Sequence, residues 1–293
     1  MSGGPDSLAL LILLHAILPR DSLRVATVDH QLRPESAGEA KAVAAICKAL
    51  DVCHDILTVE VDDGNLQRGA RDARYYALCD WASGLRLKCL MTAHHADDQA
   101  ETVLMRLNRG SGVFGLSGIR RARWLQGRKK GQMEWLVRPL LSWRKTDLEK
   151  VVEASPFDPI DDPSNRNLDF DRVAVREYLK NAPWLDVDAI ALSAANLADA
   201  ASYIDEELTT EVWGLNVREV ADEIRYIPVI SRFANIEIVR DIVERLGSAK
   251  PRSEIGRMVD RLQTGQSANL GGVLARVGGE EWVFTPEPPR RTG

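Results

Sequence analysis

A chain of 293 residues, 45% of them apolar, is long enough for one large or two medium domains with substantial cores. Its four cysteines, Cys47, Cys53, Cys79 and Cys89, form no CxxC pair; they give no zinc or iron–sulfur spacing and fit a reducing compartment. The net charge of −5 hides an uneven distribution: Leu104–Lys145 holds eleven Arg or Lys against one acid, Glu134, a local +10 that leaves −15 for the rest. Such a basic stripe suits a phosphate backbone, although a solvated basic loop has the same composition.

The chain opens "MSGGPDSLALLILLHAIL". The apolar run Leu8–Leu14 is too short to span a bilayer, and Asp6 before it and Arg20 and Asp21 after it are the wrong flanks for a signal peptide. The expectation is a cytoplasmic protein with no membrane partner. Residues 7–18 read as a helix starting at the glycines. Val25–Val28 reads as a strand ending at Asp29 and His30, and residues 35–50 as an alanine-rich amphipathic helix. A strand over 53–61, a helix over 65–84 closed by Gly84, a strand over 87–93 and a helix over 94–110 follow. This alternation predicts a parallel α/β sheet with helices on both faces, its ligands at the carboxyl ends of the strands.

Residues 120–133 are basic and glycine-interrupted, a loop or hairpin. After them come a short extended run and helix over 138–155, then a polar, turn-rich stretch leading into a helix near 172–179. The composition shifts to acidic helices from about Pro183, which places a domain boundary at 180–185. The tail reads as a helix and a hairpin turning at Gly278-Gly279. The expected layout is residues 1–180 as an α/β domain and 181–293 as a smaller, mostly helical region ending in a small α+β segment.

Four stretches could carry chemistry. "SGGPDS" offers two glycines, flanking serines and a helix N-terminus for phosphate, but no loop lysine. Asp6 beside a phosphate demands a cation between them, which points to Mg²⁺. "TAHHADDQAET" puts His94, His95, Asp97, Asp98 and Glu101 at a strand end, without the spacing of a tetrahedral zinc site. Asp98 and Glu101 fall on one helix face, where ordinary capping is the competing reading. The pairs Arg71/Arg74 and Arg172/Arg176 each share a helix face and suit phosphate contacts or plain solvation.

Taken in order, "SGGPDS", "VDHQLRPESAGEA", "GARDARY", "TAHHADDQAETVLMRLNRGSGVFGLSGI", "RPLL" with Arg144, and "DDPSNRNLDFDRVAVR" resemble the bacterial tRNA(Ile)-lysidine synthases of the PP-loop ATP pyrophosphatase superfamily. The resemblance covers most of the first 176 residues, and "LGGVLARV" near the tail is similar to what many members carry. It implies an adenine nucleotide alpha hydrolase-like, Rossmann-like domain and a two-step reaction. ATP adenylates the C2 oxygen of the wobble cytidine of a CAU-anticodon tRNA(Ile), and the amine of L-lysine then displaces AMP. It further implies ATP and pyrophosphate contacts at Ser2, Gly3, Gly4, Pro5, Asp6 and Ser7, with Val28, Asp29, His30 and His94 bordering the nucleotide. Mg²⁺ on Asp6, lysine or Mg²⁺ at Asp98 and Glu101, and Arg109 with the Gly110–Gly118 loop over the adenylate complete the catalytic set. Arg71, Arg74, Arg128, Lys129, Lys130, Arg172 and Arg176 are the implied tRNA contacts, and a homodimer is a further implication.

Two features depart from the family pattern. Family members carry Arg-Asn before the last arginine of the "DPSN" segment, where this chain reads Arg172-Val173. A PP-loop ordinarily follows a strand, and here one methionine precedes it. The expectation is a missing first strand and a native start roughly ten to twenty residues upstream, since an interior strand would bond neighbours on both sides. Other PP-loop ligases and tRNA-modifying enzymes, or a tRNA-binding homologue without catalysis, are the competing readings. The absent CxxC argues against iron–sulfur thiolases, and the absent glutaminase-like segment against amidating synthetases.

Overall fold

The computed structural model describes residues 1–29, 36–59, 66–127, 132–160 and 171–287. His30, Arg128, Lys129, Lys130 and Asp161–Phe170 of the "DPSN" segment lie outside the described residues. The chain divides into two compact units, Met1–Ala198 and Asp199–Gly293.

In the first unit α1 (Pro5–Ile17) leads into β1 (Arg24–Asp29), α2 (Ser36–Ala49), β2 (Cys53–Thr58), α3 (Leu66–Gly84), β3 (Leu90–Met91) and α4 (Ala96–Asn108). The short α5 (Val113–Leu116), the hairpin strands β4 (Ala122–Gln126) and β5 (Met133–Val137), α6 (Lys145–Glu153) and α7 (Asp171–Lys180) follow. The expected order of strands and helices is therefore present. β1 and β2 pair in parallel, and β3 pairs in parallel with β5, which carries β4 antiparallel at its other side. The run expected as a strand over 87–93 contributes only Leu90 and Met91 to the ladder. The extended run expected at 138 belongs one step earlier, to β5.

Three apolar clusters hold these elements. Leu8, Leu10, Leu140, Leu148 and Val152 join α1 to α6. Leu11, Val25, Val43, Cys47 and Val52 join α1, β1 and α2. Tyr75, Cys79, Ala82, Leu90, Leu125 and Leu136 seat α3 on one face of the β3-β5-β4 sheet. α1 is apolar nearly all round because it serves two of these clusters. No strand precedes α1 among the described residues; the Met1 amino group bonds the Ala26 carbonyl of β1.

α8 (Val187–Glu207) crosses from the first unit into the second, and a π-helical turn over Leu208–Trp213 continues it into α9 (Gly214–Asn216). The second unit then holds β6 (Val217–Val220), β7 (Glu223–Tyr226), α10 (Arg232–Leu246), α11 (Arg252–Gln263), β8 (Ala268–Leu270), β9 (Val273–Gly278) and β10 (Glu281–Pro286). The strands form one antiparallel sheet in the order β6-β7-β10-β9-β8. A mostly helical region is thus not what the chain builds there: half of the unit's framework is a five-stranded sheet with α10 and α11 packed on it. The expected hairpin is β9–β10, with Gly278 opposite Glu281. Its core is Tyr226, Ile236, Val239, Ile242, Ile255, Val259 and Phe284, each almost fully buried.

Candidate active site

The glycine loop is built as its sequence requires. Gly3 has φ +83°, and a Cβ there would sit 2.3 Å from Ile160 Cδ1, so only glycine fits both the turn and the contact. Ile160 N–H in turn donates to Gly3 O at 2.9 Å, fastening the loop. Gly4 is the N-cap of α1 and Pro5 its first residue, and no side chain caps this end. Ser7 Oγ donates to Gly4 O at 3.0 Å and lies 3.2 Å from Ser2 Oγ. An uncapped helix N-terminus flanked by two hydroxyls is a phosphate seat.

Asp6, in the first turn of α1, faces the first turn of α4. His95 is buried at the N-cap of α4, with Nε2 3.6 Å from both Asp6 Oδ2 and Asp98 Oδ2 and Nδ1 3.6 Å from Asp97 Oδ2. Burial opposes charging this ring, but the hydrogen bonds to Asp6 and Asp97 and the Asp98 charge win, pushing its pKa up to about 9. Asp6 resists ionisation through burial, yet His95, Lys145 and Arg176 hold its pKa below the usual carboxylate value. Its second oxygen, Oδ1, is buried and has no hydrogen-bond partner among the described residues.

His94, next in sequence, has the opposite state. Burial, reinforced by Arg138, Arg172 and Arg71 over the opposing pull of Asp98, pushes its pKa down to about 4. Its Nδ1 lies 3.0 Å from Thr92 Oγ1.

The three acids that follow are all matched. Asp97 accepts from Lys145 N–H at 2.7 Å and from Arg144 at 3.2 Å, capping α6. Asp98 closes a capping box on His95 N–H at 3.1 Å and accepts from Arg172 Nη2 at 2.5 Å. Glu101, buried, accepts from Arg172 Nε and Arg176 Nε, each at 2.7 Å. The residues expected as separate lysine-facing and tRNA-facing sets thus form one network, in which Asp6, Asp97, Asp98 and Glu101 oppose His95, Arg144, Arg172 and Arg176. Its eight formal charges cancel.

A second cluster is purely basic. Arg71, Arg74 and Arg123 lie 5.5, 5.6 and 5.4 Å from the centre of the Tyr75 ring, a cation–π arrangement on the inner side of β4. The Arg138 guanidinium is buried at the end of β5, and burial, together with Arg123 and Arg71, lowers its pKa. Its Nε has no hydrogen-bond partner among the described residues. No carboxylate among the described residues forms an ion pair with these four arginines.

Arg109 is not brought to either cluster. It is the C-cap of α4, exposed, and roughly 12–18 Å by helix rise from the acids Glu101, Asp98 and Asp97 nearer the other end. The loop over 110–118 folds back on α4, because Arg106 Nη1 donates to Gly115 O at 2.7 Å and Gly118 O at 2.8 Å. Val28 and Asp29 end β1 as expected. Sequence reasoning named His95 in the histidine–acid stretch without giving it a role, and missed Tyr75, Arg123 and Arg138 as members of the site. The signals available were the histidine doublet and the arginine density of 120–138.

No group of three or more His, Cys, Asp or Glu side chains among the described residues forms a metal cage. The donor set fits a hard cation only as a single carboxylate oxygen, the unpartnered Asp6 Oδ1, with the remaining ligands left to phosphate and water. No helix among the described residues is long and apolar enough to cross a membrane.

Comparison with known proteins identifies the family. A family model of the PP-loop domain matches residues 1–182. The tRNA(Ile)-lysidine synthase of Novosphingobium aromaticivorans is 38% identical over 296 residues, covering all of this chain and 89% of the relative. That of Zymomonas mobilis is 37% identical, over 99% of this chain and 88% of the relative. Among solved structures, a U34-tRNA thiolase from Methanococcus maripaludis with its [4Fe-4S] cluster aligns at TM-score 0.54 and 17% identity, over 70% of this chain and 71% of that one, a likeness of fold alone. The chain belongs to the tRNA(Ile)-lysidine synthase family of ATP-dependent PP-loop ligases.

Proposed function

We propose that this protein ligates L-lysine to C2 of the wobble cytidine of a CAU-anticodon tRNA(Ile), consuming ATP and releasing diphosphate and AMP. The observation that carries the reading is the junction of two helix N-termini: the uncapped start of α1, with Asp6, against His95 and the acids that open α4. Family membership supplies the reaction class.

The α-phosphate of ATP is attacked by the cytidine C2 oxygen, which converts a poor leaving group into AMP. The α1 N-terminus, Ser2 and Ser7 receive the departing diphosphate. Mg²⁺ on Asp6 Oδ1 would neutralise charge building on the phosphates. His95, as an imidazolium, holds Asp6 towards that position. The lysine amine then adds to C2, and the C2–O bond to AMP breaks. His94, neutral above its lowered pKa, can accept a hydrogen bond from the incoming amine, while that same lowered pKa makes it a weak acceptor of the amine proton itself. Asp98 and Glu101 recognise the lysine ammonium by exchanging contacts with Arg172 and Arg176, which hydrogen-bond to them. Arg71, Arg74 and the basic residues Arg128, Lys129 and Lys130 contact tRNA phosphates, and Arg109 with the 110–118 loop lies over the adenylate. The second unit contributes further tRNA surface, a homodimer is the assembly, and the substrates place the reaction in the cytoplasm.

Incubation of the protein with labelled lysine, ATP and the tRNA(Ile) transcript, followed by nucleoside analysis, should recover the label at the wobble position. Release of diphosphate without lysine incorporation would overturn the reading.

A further inference from the structure

The His95 ring lies between three carboxylates at equal distance. Nε2 is 3.6 Å from Asp6 Oδ2 and from Asp98 Oδ2, and Nδ1 is 3.6 Å from Asp97 Oδ2. What each acid holds besides the ring therefore decides which of them the ring serves. Asp98 has Arg172 and the His95 N–H. Asp97 has Arg144 through both oxygens, Nη2 to Oδ1 at 3.2 Å and Nε to Oδ2 at 3.3 Å, and also the Lys145 N–H at 2.7 Å. Asp6 has no other hydrogen-bond or ion-pair partner among the described residues.

The fold places Arg144 for this. It is the N-cap of α6, and Ala96 N–H donates to Trp143 O at 2.8 Å, so the start of α6 is tied to the start of α4, where Asp97 lies. The ion-pair partners of Arg144 among the described residues are Asp97 and Asp188. Asp188, in the first turn of α8, is 62% exposed, and a pair so open to water holds little. The two-point grip on Asp97 is the stronger contact. Without the guanidinium, Asp97 keeps its charge with fewer donors and faces Nδ1 of His95. A ring drawn to Asp97 is withdrawn from Asp6, whose buried Oδ1 is the oxygen left for a cation.

We propose that Arg144 is a positioning residue: by occupying Asp97 it leaves the His95 ring to Asp6, and so holds Asp6 Oδ1 towards the Mg²⁺ that accompanies ATP. This rests on the functional reading above and adds to it a residue that acts through Asp97 and His95 without touching substrate. Outer partners of this kind fix the orientation of the groups that meet a metal. Arg172 relieves Asp98 in the same way, but it also bonds Glu101, so Arg144 is the one whose effect on the phosphate side can be separated from the lysine side.

The test is ATP binding to the full chain by calorimetry, with Mg²⁺ and with EDTA, for the wild type, Arg144→Met, Arg144→Lys, Asp188→Asn and Arg144→Met/Asp97→Asn. Circular dichroism checks the fold. Arg144→Met should weaken binding about tenfold with Mg²⁺ and leave it unchanged in EDTA, the scale expected when an outer partner of a metal-binding group is lost. Arg144→Lys keeps the charge without the two-point grip. It should show a smaller loss of the same kind, and it reads the contrast even if the methionine variant does not fold. Arg144→Met/Asp97→Asn should bind more tightly than Arg144→Met, because the neutral amide draws the ring less. Unchanged affinity with Mg²⁺ in Arg144→Met overturns the proposal. Equal weakening with and without Mg²⁺, or losses that add in the double variant, overturns it in favour of a purely structural role. Asp188→Asn should bind as the wild type does; if it matches Arg144→Met, the arginine acts by strapping α8 and the proposal falls. Lysidine formation by the wild type is measured in parallel. Its absence, with this pattern of binding intact, overturns the proposed reaction and leaves the positioning role standing.

Discussion

His94 and His95 are the same residue type one bond apart, and their neighbours give them opposite charges. His95 meets three carboxylates, whereas His94 meets burial and three arginines against one carboxylate. In the metal-free protein, NMR titration of the ring protons should find His95 near 9 and His94 near 4. The stability consequences run in opposite directions. The folded state holds the His95 proton more tightly than the unfolded chain does, so that contribution is full below 6.5 and fades as pH rises towards 9. The folded state holds the His94 proton less tightly, so that contribution is full above 6.5 and fades as pH falls towards 4. Replacing His95 by Gln should flatten the alkaline side of the stability profile and also reduce the acid-side contribution of Asp6 and Asp97, whose pKa values His95 helps hold down. A profile unchanged on the alkaline side would contradict the charged state assigned to His95. "AHHADD" contains two of the three carboxylates that charge His95, but Asp6 and the arginines and burial that keep His94 neutral are remote in the chain, so the contrast between the two rings was not legible there.

Among the elements, α4 and α7 show what a local pattern reveals and what it hides. The spacing of Asp98 and Glu101 placed both on one helix face, and that was readable. Their partners Arg172 and Arg176 lie 71 to 75 residues away, so the ion-pair network was not. Glu101→Gln keeps the shape and removes the charge that both arginines share. With Glu101 buried and the guanidinia part-exposed, the loss should be about 1–3 kcal/mol, less than for a fully buried pair. It should appear first as faster amide exchange along α7, and unchanged exchange there would show that other contacts anchor the helix. β6 and β7 escaped sequence reading for a different reason. Only Ile224 and Tyr226 of their eight residues are buried, so Val217–Tyr226 reads as polar turn until β10 is available to pair with it. The hairpin of 120–137 was half legible: its glycines and charges marked a turn, but the register that pairs Trp124 with Trp135 is a property of the folded ladder.

At the scale of the whole molecule, the two units differ in what holds them. The first concentrates charge at the carboxyl edge of its strands, as a site for phosphates and nucleic acid requires. The second has one apolar core with few buried polar side chains. Tyr226 is buried there and its hydroxyl donates to Asn235 Oδ1 at 2.6 Å, while Asn235 also bonds both backbone groups of Val229. Burial pushes the Tyr226 pKa up from 10 to about 12. The folded state therefore keeps a proton that the unfolded chain gives up, and this unit should lose on the order of 2–3 kcal/mol as pH rises from about 10 to 12. Denaturant melts followed at Trp282, which meets Tyr226 edge-on at 5.8 Å, would detect it. Tyr226→Phe should abolish that slope at the cost of the Asn235 hydrogen bond; a slope that survives would assign the alkaline loss to other groups.

Trp124 and Trp135, cross-strand partners in the β4–β5 hairpin, stack on each other, and the pair has an optical consequence. Two identical chromophores held at 4.1 Å and inclined by 29° share their excited states, so their absorption splits into a pair of bands with circular dichroism of opposite sign. The five other tryptophans of the chain have no such partner among the described residues. A chain of 293 residues thus carries a built-in couplet that belongs to one hairpin and reports, without any label, whether its two strands are in register.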